Sequence, residues 1–177
     1  MTNLTQAELN AVIDAASKAD ERHAAMILFS YFHGARRGEV LALRGGDVRD
    51  GFVTFRRIKQ REDKGNTPII SRQPLHAREQ ELIEKFAVQA GDGLLFPYSA
   101  GYASRLMQKY LRQVGAYTVP RQKSLHSLRH SAGHNLYRAG KDIVAVAAYL
   151  GHKHLESSRR YTNLSETEVN ELAVRAL

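Results

Sequence analysis

Apolar residues recur at helical spacing through most of the chain. Thr5-Gln6-Ala7-Glu8 has the spacing at which a hydroxyl and a carboxylate cap a helix start reciprocally, and Leu9, Val12, Ile13 and Ala16 then share one face. A second helix is predicted over His23 to Tyr31. Because Ala24 to Phe32 is almost continuously apolar, that helix is expected to be central and buried. Gly34 stops it. A short helix carries Glu39, Val40 and Leu43, and Gly45-Gly46-Asp47 breaks it. Further helices are predicted over Ala77 to Ala90, with Leu82, Ile83 and Phe86 inward, over Tyr102 to Val114, and over Ser127 to Ala139, ended by Gly140. Ile143, Val146, Ala147 and Leu150 form the inner face of the next helix, which Gly151 ends. Ser165-Glu166-Thr167-Glu168 repeats the capping spacing ahead of Val169, Leu172, Ala173 and Ala176.

Strand-forming residues gather in one region. Phe52-Val53-Thr54-Phe55 and Ile58 are β-prone, a charged turn runs from Gln60 to Asn66, and Thr67-Pro68-Ile69-Ile70 follows. This predicts a hairpin, with a third short strand before or beside it. Gly91-Asp92-Gly93 with Phe96-Pro97 marks one loop, and Gly115 to Lys123 is a basic one. The fold class is therefore α+β, mainly α-helical, with a small antiparallel sheet. At 177 residues, without an internal repeat or interdomain linker, the chain is expected to be one domain.

Charge narrows the partner. A net charge of +8 favours a polyanion such as nucleic acid. The absence of cysteine excludes disulfides and thiolate metal sites. No apolar run is long enough to span a bilayer and the N-terminus lacks signal-peptide order, so a cytoplasmic protein with no membrane partner is expected.

The chemistry-bearing residues cluster in short segments. Gly34-Ala35-Arg36-Arg37-Gly38-Glu39 supplies guanidinium groups and a carboxylate. His126-Ser127-Leu128-Arg129-His130 supplies imidazoles and a further guanidinium, and Leu150-Gly151-His152 is followed nine residues later by Tyr161. Planar guanidinium forks bind phosphate oxygens bidentately. A phenol, with a pKa near 10, needs help from a base or a cationic environment to act as a nucleophile.

In their order and spacing these segments, with Leu43 and Asp47, resemble the signature boxes of the tyrosine site-specific recombinases, the phage integrase family, over nearly the whole chain. The resemblance implies that residues 1–177 form a tyrosine recombinase catalytic domain without a separate N-terminal core-binding domain, compact like the fimbrial invertases. It implies a site-specific recombinase that cleaves and rejoins DNA through a covalent 3′-phosphotyrosine intermediate, with neither metal nor ATP and no cofactor. Arg36 and Arg129 would clamp the phosphate. Glu39 would support the site, and Arg37 would be a phosphate contact or a solvated charge. His126 would take the proton of the nucleophile Tyr161, and His152 would bind the phosphate. Lys59, at the end of the first hairpin strand, would protonate the leaving 5′ oxygen, with Lys64 the competing choice. The implied partners are double-stranded DNA recombination sites and further copies of the chain, as a synaptic tetramer on DNA. The C-terminal helix from Glu166 would dock on a neighbour, or fold back to leave a monomer in isolation.

Other readings of the same residues stay open at this level. His126, His130 and His134 at helical spacing form a conceivable metal-binding stripe, although Arg129 would repel a cation and no carboxylate completes the set. The helices around Gly140 could form a helix-turn-helix with Ile143 to Leu150 as its reading helix, making the chain a DNA-binding regulator. A type IB topoisomerase would share the chemistry. Tyr137 and Tyr149 are expected to pack helices.

Overall fold

The computed structural model describes residues 3–57, 69–117, 124–140 and 142–152. Lys59, Lys64, the turn from Gln60 to Asn66, Tyr161 and the capped C-terminal segment lie outside the described residues.

Helix starts follow from their caps. The Thr5 hydroxyl accepts from the Glu8 N–H while the Glu8 carboxylate accepts from the Thr5 N–H, which begins α1 (Gln6–Ala19). Asp20 closes α1 and caps α2 (Glu21–Phe32) by accepting from the Arg22 N–H. Every residue of α2 from His23 to Ser30 is buried, as the continuous apolar run predicts. The helix is therefore the spine of the molecule, packed by α1, by α4 (Gln80–Ala90) and by α6 (Leu125–Arg138).

After α2 come α3 (Arg37–Ala42), a 3₁₀ turn at Gly45–Asp47, and three strands, β1 (Val48–Arg49), β2 (Phe52–Arg57) and β3 (Ile69–Pro74). They form an antiparallel sheet in the order β1-β2-β3. The fold is thus the expected α+β arrangement, with the third short strand leading the hairpin. β3 runs beyond the predicted Ile70 because all six β2 residues pair, from Phe52 with Pro74 to Arg57 with Ile69.

Caps also move three other boundaries. Ser99 accepts from the Tyr102 N–H and starts α5 (Ala100–Gln113) two residues before the apolar pattern does. Ser124 does the same for α6. Residues 77–79 form a turn before α4, where the Glu79 carboxylate accepts from the His76 N–H. The chain then reaches α7 (Ile143–Leu150), whose inner face is Val146, Ala147 and Leu150.

Two glycines shape the meeting of α2 and α7. Gly34 has φ +53°, and a Cβ there would lie 2.3 Å from Leu150 Cδ2. Gly151 takes the left-handed conformation at φ +64° and ends α7, its N–H donating to Ala148. Both positions require left-handed backbone where another chain segment passes at contact distance.

Candidate active site

Arg36 sits in extended backbone at the start of α3. Its N–H donates to Glu39 Oε2 at 2.8 Å and its Nη1 donates to Glu39 Oε1 at 2.9 Å. The Glu39 side chain is fully enclosed, whereas that of Arg36 keeps 25% of its surface. A buried carboxylate in the first helical turn thus aims a partly exposed guanidinium outward, and the helix dipole favours that carboxylate's charge. Arg37 is exposed and donates to the Ser104 hydroxyl at 2.8 Å.

Arg129 lies on α6 and is only 2% exposed. Its guanidinium donates to the Gly34 carbonyl, two residues before Arg36, and to the Leu150 carbonyl at 2.8 Å, two residues before His152. One side chain therefore ties together the two segments that carry Arg36 and His152. His126, three residues earlier on the same helix, is exposed and packs edge-on against His130 at 4.4 Å between ring centroids. The His152 N–H donates to the Ala147 carbonyl, fixing the first residue beyond the Gly151 turn.

Motif spacing does not single out Arg57, yet the fold places it at the centre of the site. It is the last described residue of β2 and is 2% exposed. Its Nη1 donates to Glu39 Oε2 at 3.2 Å, its Nε to Ser71 Oγ at 2.8 Å, and its Nη2 to the carbonyls of Tyr149 at 2.7 Å and His33 at 3.4 Å. Burial pulls its pKa below the ordinary arginine value, and the Glu39 carboxylate opposes that fall. The signal that could have found it is strand alternation: Val53, Phe55 and Arg57 share the buried face.

The network continues inward. Gln73 Nε2 donates to the Tyr149 carbonyl, which leaves Gln73 Oε1 to accept from His33 Nδ1 at 2.7 Å. His33 Nε2 lies 2.9 Å from Glu79 Oε1, off the line of a hydrogen bond, with both side chains enclosed. Tyr149 itself packs beside Val146 and Leu150 with Tyr137. Its hydroxyl donates to the Phe32 carbonyl, and burial pushes the phenol up to about 12. Tyr137 and Tyr149 are packing residues, as expected.

Among the described residues no three histidine or carboxylate side chains converge as metal ligands would. None of the described helices is long and apolar enough to cross a membrane. The exposed positions of α7 are Val144, Ala145 and Ala148. They carry no hydrogen-bonding side chain, so these positions offer base edges apolar contact only.

The pattern that defines the phage integrase family matches residues 2–168. The chain belongs to the phage integrase family. Within it, the chain is 27% identical to the tyrosine recombinase XerH of Campylobacter jejuni, over 94% of this chain and 49% of that protein. It is 31% identical to the type 1 fimbriae regulatory protein FimE of Escherichia coli K12, over 89% of this chain and 81% of that one. This family member thus spans about half the length of XerH and most of FimE. Its fold is that of XerH bound to palindromic difH substrate in a post-cleavage complex, with a TM-score of 0.74 at 23% identity over 97% of this chain and 52% of the other. The catalytic domain of bacteriophage HP1 integrase aligns with a TM-score of 0.70 at 19% identity, over 98% of this chain and 93% of that domain.

Proposed function

We propose that this chain is the catalytic domain of a site-specific recombinase, which cleaves and rejoins double-stranded DNA through a 3′-phosphotyrosine on Tyr161. The observation that carries the reading is the Arg129 guanidinium joining the Gly34–Arg36 segment to the end of α7, in a member of the phage integrase family. A phosphate beside Arg36 would meet positive charge that is already in place, which is how electrostatic catalysis lowers a barrier without reorganisation. Arg36 and Arg129 clamp the non-bridging oxygens, His152 binds the phosphate, and His126 accepts the Tyr161 proton. Lys59 protonates the leaving 5′ oxygen, a role suited to a lysine whose pKa falls in a cationic site. The phosphoester energy is kept in the covalent intermediate, so rejoining calls for neither metal nor ATP. The partners are DNA recombination sites and other copies of the chain in a synaptic tetramer, acting in the cytoplasm.

Covalent capture on a nicked suicide substrate tests this reading. Wild type forms a protein–DNA adduct, with or without chelator, whereas Tyr161→Phe forms none while still folding and binding DNA. Tyr149→Phe keeps the adduct, because that phenol is committed to the Phe32 carbonyl and held protonated. Arg36→Ala and Arg129→Ala each slow capture by roughly 10² to 10³-fold. An adduct on Tyr161→Phe would overturn the nucleophile assignment, and none from wild type on any full site would overturn the enzyme reading.

A further inference from the structure

Glu39 is one carboxylate shared by two guanidinium groups. Oε1 takes Arg36 Nη1 at 2.9 Å, and Oε2 takes Arg57 Nη1 at 3.2 Å together with the Arg36 N–H. The three side chains sum to one net positive charge. Without Arg57 the remaining two sum to zero, and a fully enclosed carboxylate would weigh on Arg36, opposing any phosphate that approaches it. The second tie runs through α7. Arg57 Nη2 holds the Tyr149 carbonyl while Arg129 holds the Leu150 carbonyl, so two buried cations sit at the negative end of one helix. Gly151 presses on the same side chain: a Cβ there would lie 3.0 Å from Arg57 Cγ. The Arg57 stem is thus the floor under the turn that delivers His152. Its strand also carries the chain onward towards Lys59, two residues later.

We infer that Arg57 is a positioning residue for strand cleavage: it takes up one oxygen of Glu39 so that Arg36 keeps its charge for phosphate, and it fixes the turn that carries His152. It touches neither DNA nor the reacting atoms, and the inference rests on the recombinase reading above.

The test compares Arg57→Gln, Arg57→Lys and the double variant Arg57→Gln/Glu39→Gln with wild type, by covalent capture at saturating nicked DNA. Rates are expressed per folded molecule, at a temperature where circular dichroism shows each protein folded, and DNA affinity is measured separately. Arg57→Gln lowers the capture rate by roughly 10²-fold, as removal of a charge-stabilising group does, while the dissociation constant moves by less than about threefold. Arg57→Lys retains the charge and is slower by about tenfold or less. The double variant restores the net charge and recovers at least about tenfold of the rate that Arg57→Gln forfeits. A role confined to stability would leave the rate per folded molecule at the wild-type value in all three proteins, and that result would overturn the inference. So would a double variant no faster than Arg57→Gln, or failure of both Arg57→Gln and Arg57→Lys to fold. Wild type is the control: absence of its adduct defeats the recombinase reading, whereas a normal wild-type adduct with unaffected variants defeats only the role of Arg57.

Discussion

At the scale of single residues, two sets of buried polar groups stand at opposite ends of α2. At its C-terminal end, His33, Gln73, Arg57 and Glu39 form the continuous network behind Arg36. At its N-terminal end, His23 Nδ1 meets the Tyr110 hydroxyl at 2.9 Å and its Nε2 lies 3.3 Å from the Tyr102 hydroxyl. Burial lowers the His23 pKa from 6.5, more than the nearby Asp20 carboxylate raises it. The folded protein thus holds His23 neutral to a lower pH than the unfolded chain does. As pH falls through about 6.5 the unfolded state takes up the proton first, so stability declines between that point and the folded value. Urea unfolding at pH 7.5 and pH 5.5 is expected to show this decline in wild type. His23→Asn should be less stable at pH 7.5 yet show a smaller difference between the two conditions. An unchanged difference in the variant would assign the pH dependence to other groups.

At the scale of elements, α5 joins packing to the proposed interface. Ala103, Leu106, Met107, Tyr110 and Leu111 face the core. Tyr102, Arg105, Lys109 and Arg112 recur three or four apart on the exposed side. A stripe with this spacing suits a phosphate backbone, and counterions displaced from DNA make such an interface strongly salt-dependent. Replacing Arg105 and Lys109 with alanine is expected to weaken DNA binding and to flatten its dependence on salt, by about 0.9 in log–log slope for each phosphate no longer neutralised. A slope equal to that of wild type would place the DNA elsewhere. Much of this level was legible in the chain: the one-face apolar pattern located α1 and α7, the continuous apolar run located α2, and the β-prone run at Phe52–Phe55 located the hairpin. Boundaries were less legible, because Ser99 and Ser124 set them through hydrogen bonds that apolar periodicity does not report. Arg36, Glu39, His126, Arg129 and His152 stood out through motif spacing. Arg57 did not, because its importance arises from partners on four separate elements, α3, β3, α7 and the end of α2, brought together only by folding.

At the scale of the molecule, a chain of net charge +8 builds its main core around α2, with a smaller cluster at α7. The clamp of Arg57 and Arg129 on the last carbonyls of α7 has a mechanical consequence. His152 is a fixed mooring, and nine residues cannot carry Tyr161 farther than roughly 30 Å from it. Under the proposed mechanism that reach limits which phosphates held by Arg36 the phenol can meet, independently of how well the phosphate is bound. Three glycines inserted between His152 and Tyr161 would lengthen that reach by roughly 10 Å. Every proposed catalytic side chain would stay as it is, yet the rate of adduct formation on a nicked substrate is expected to fall because the proposed nucleophile loses its spacing from His152. A rate that survived the insertion would mean that something other than the mooring at His152 brings the tyrosine home.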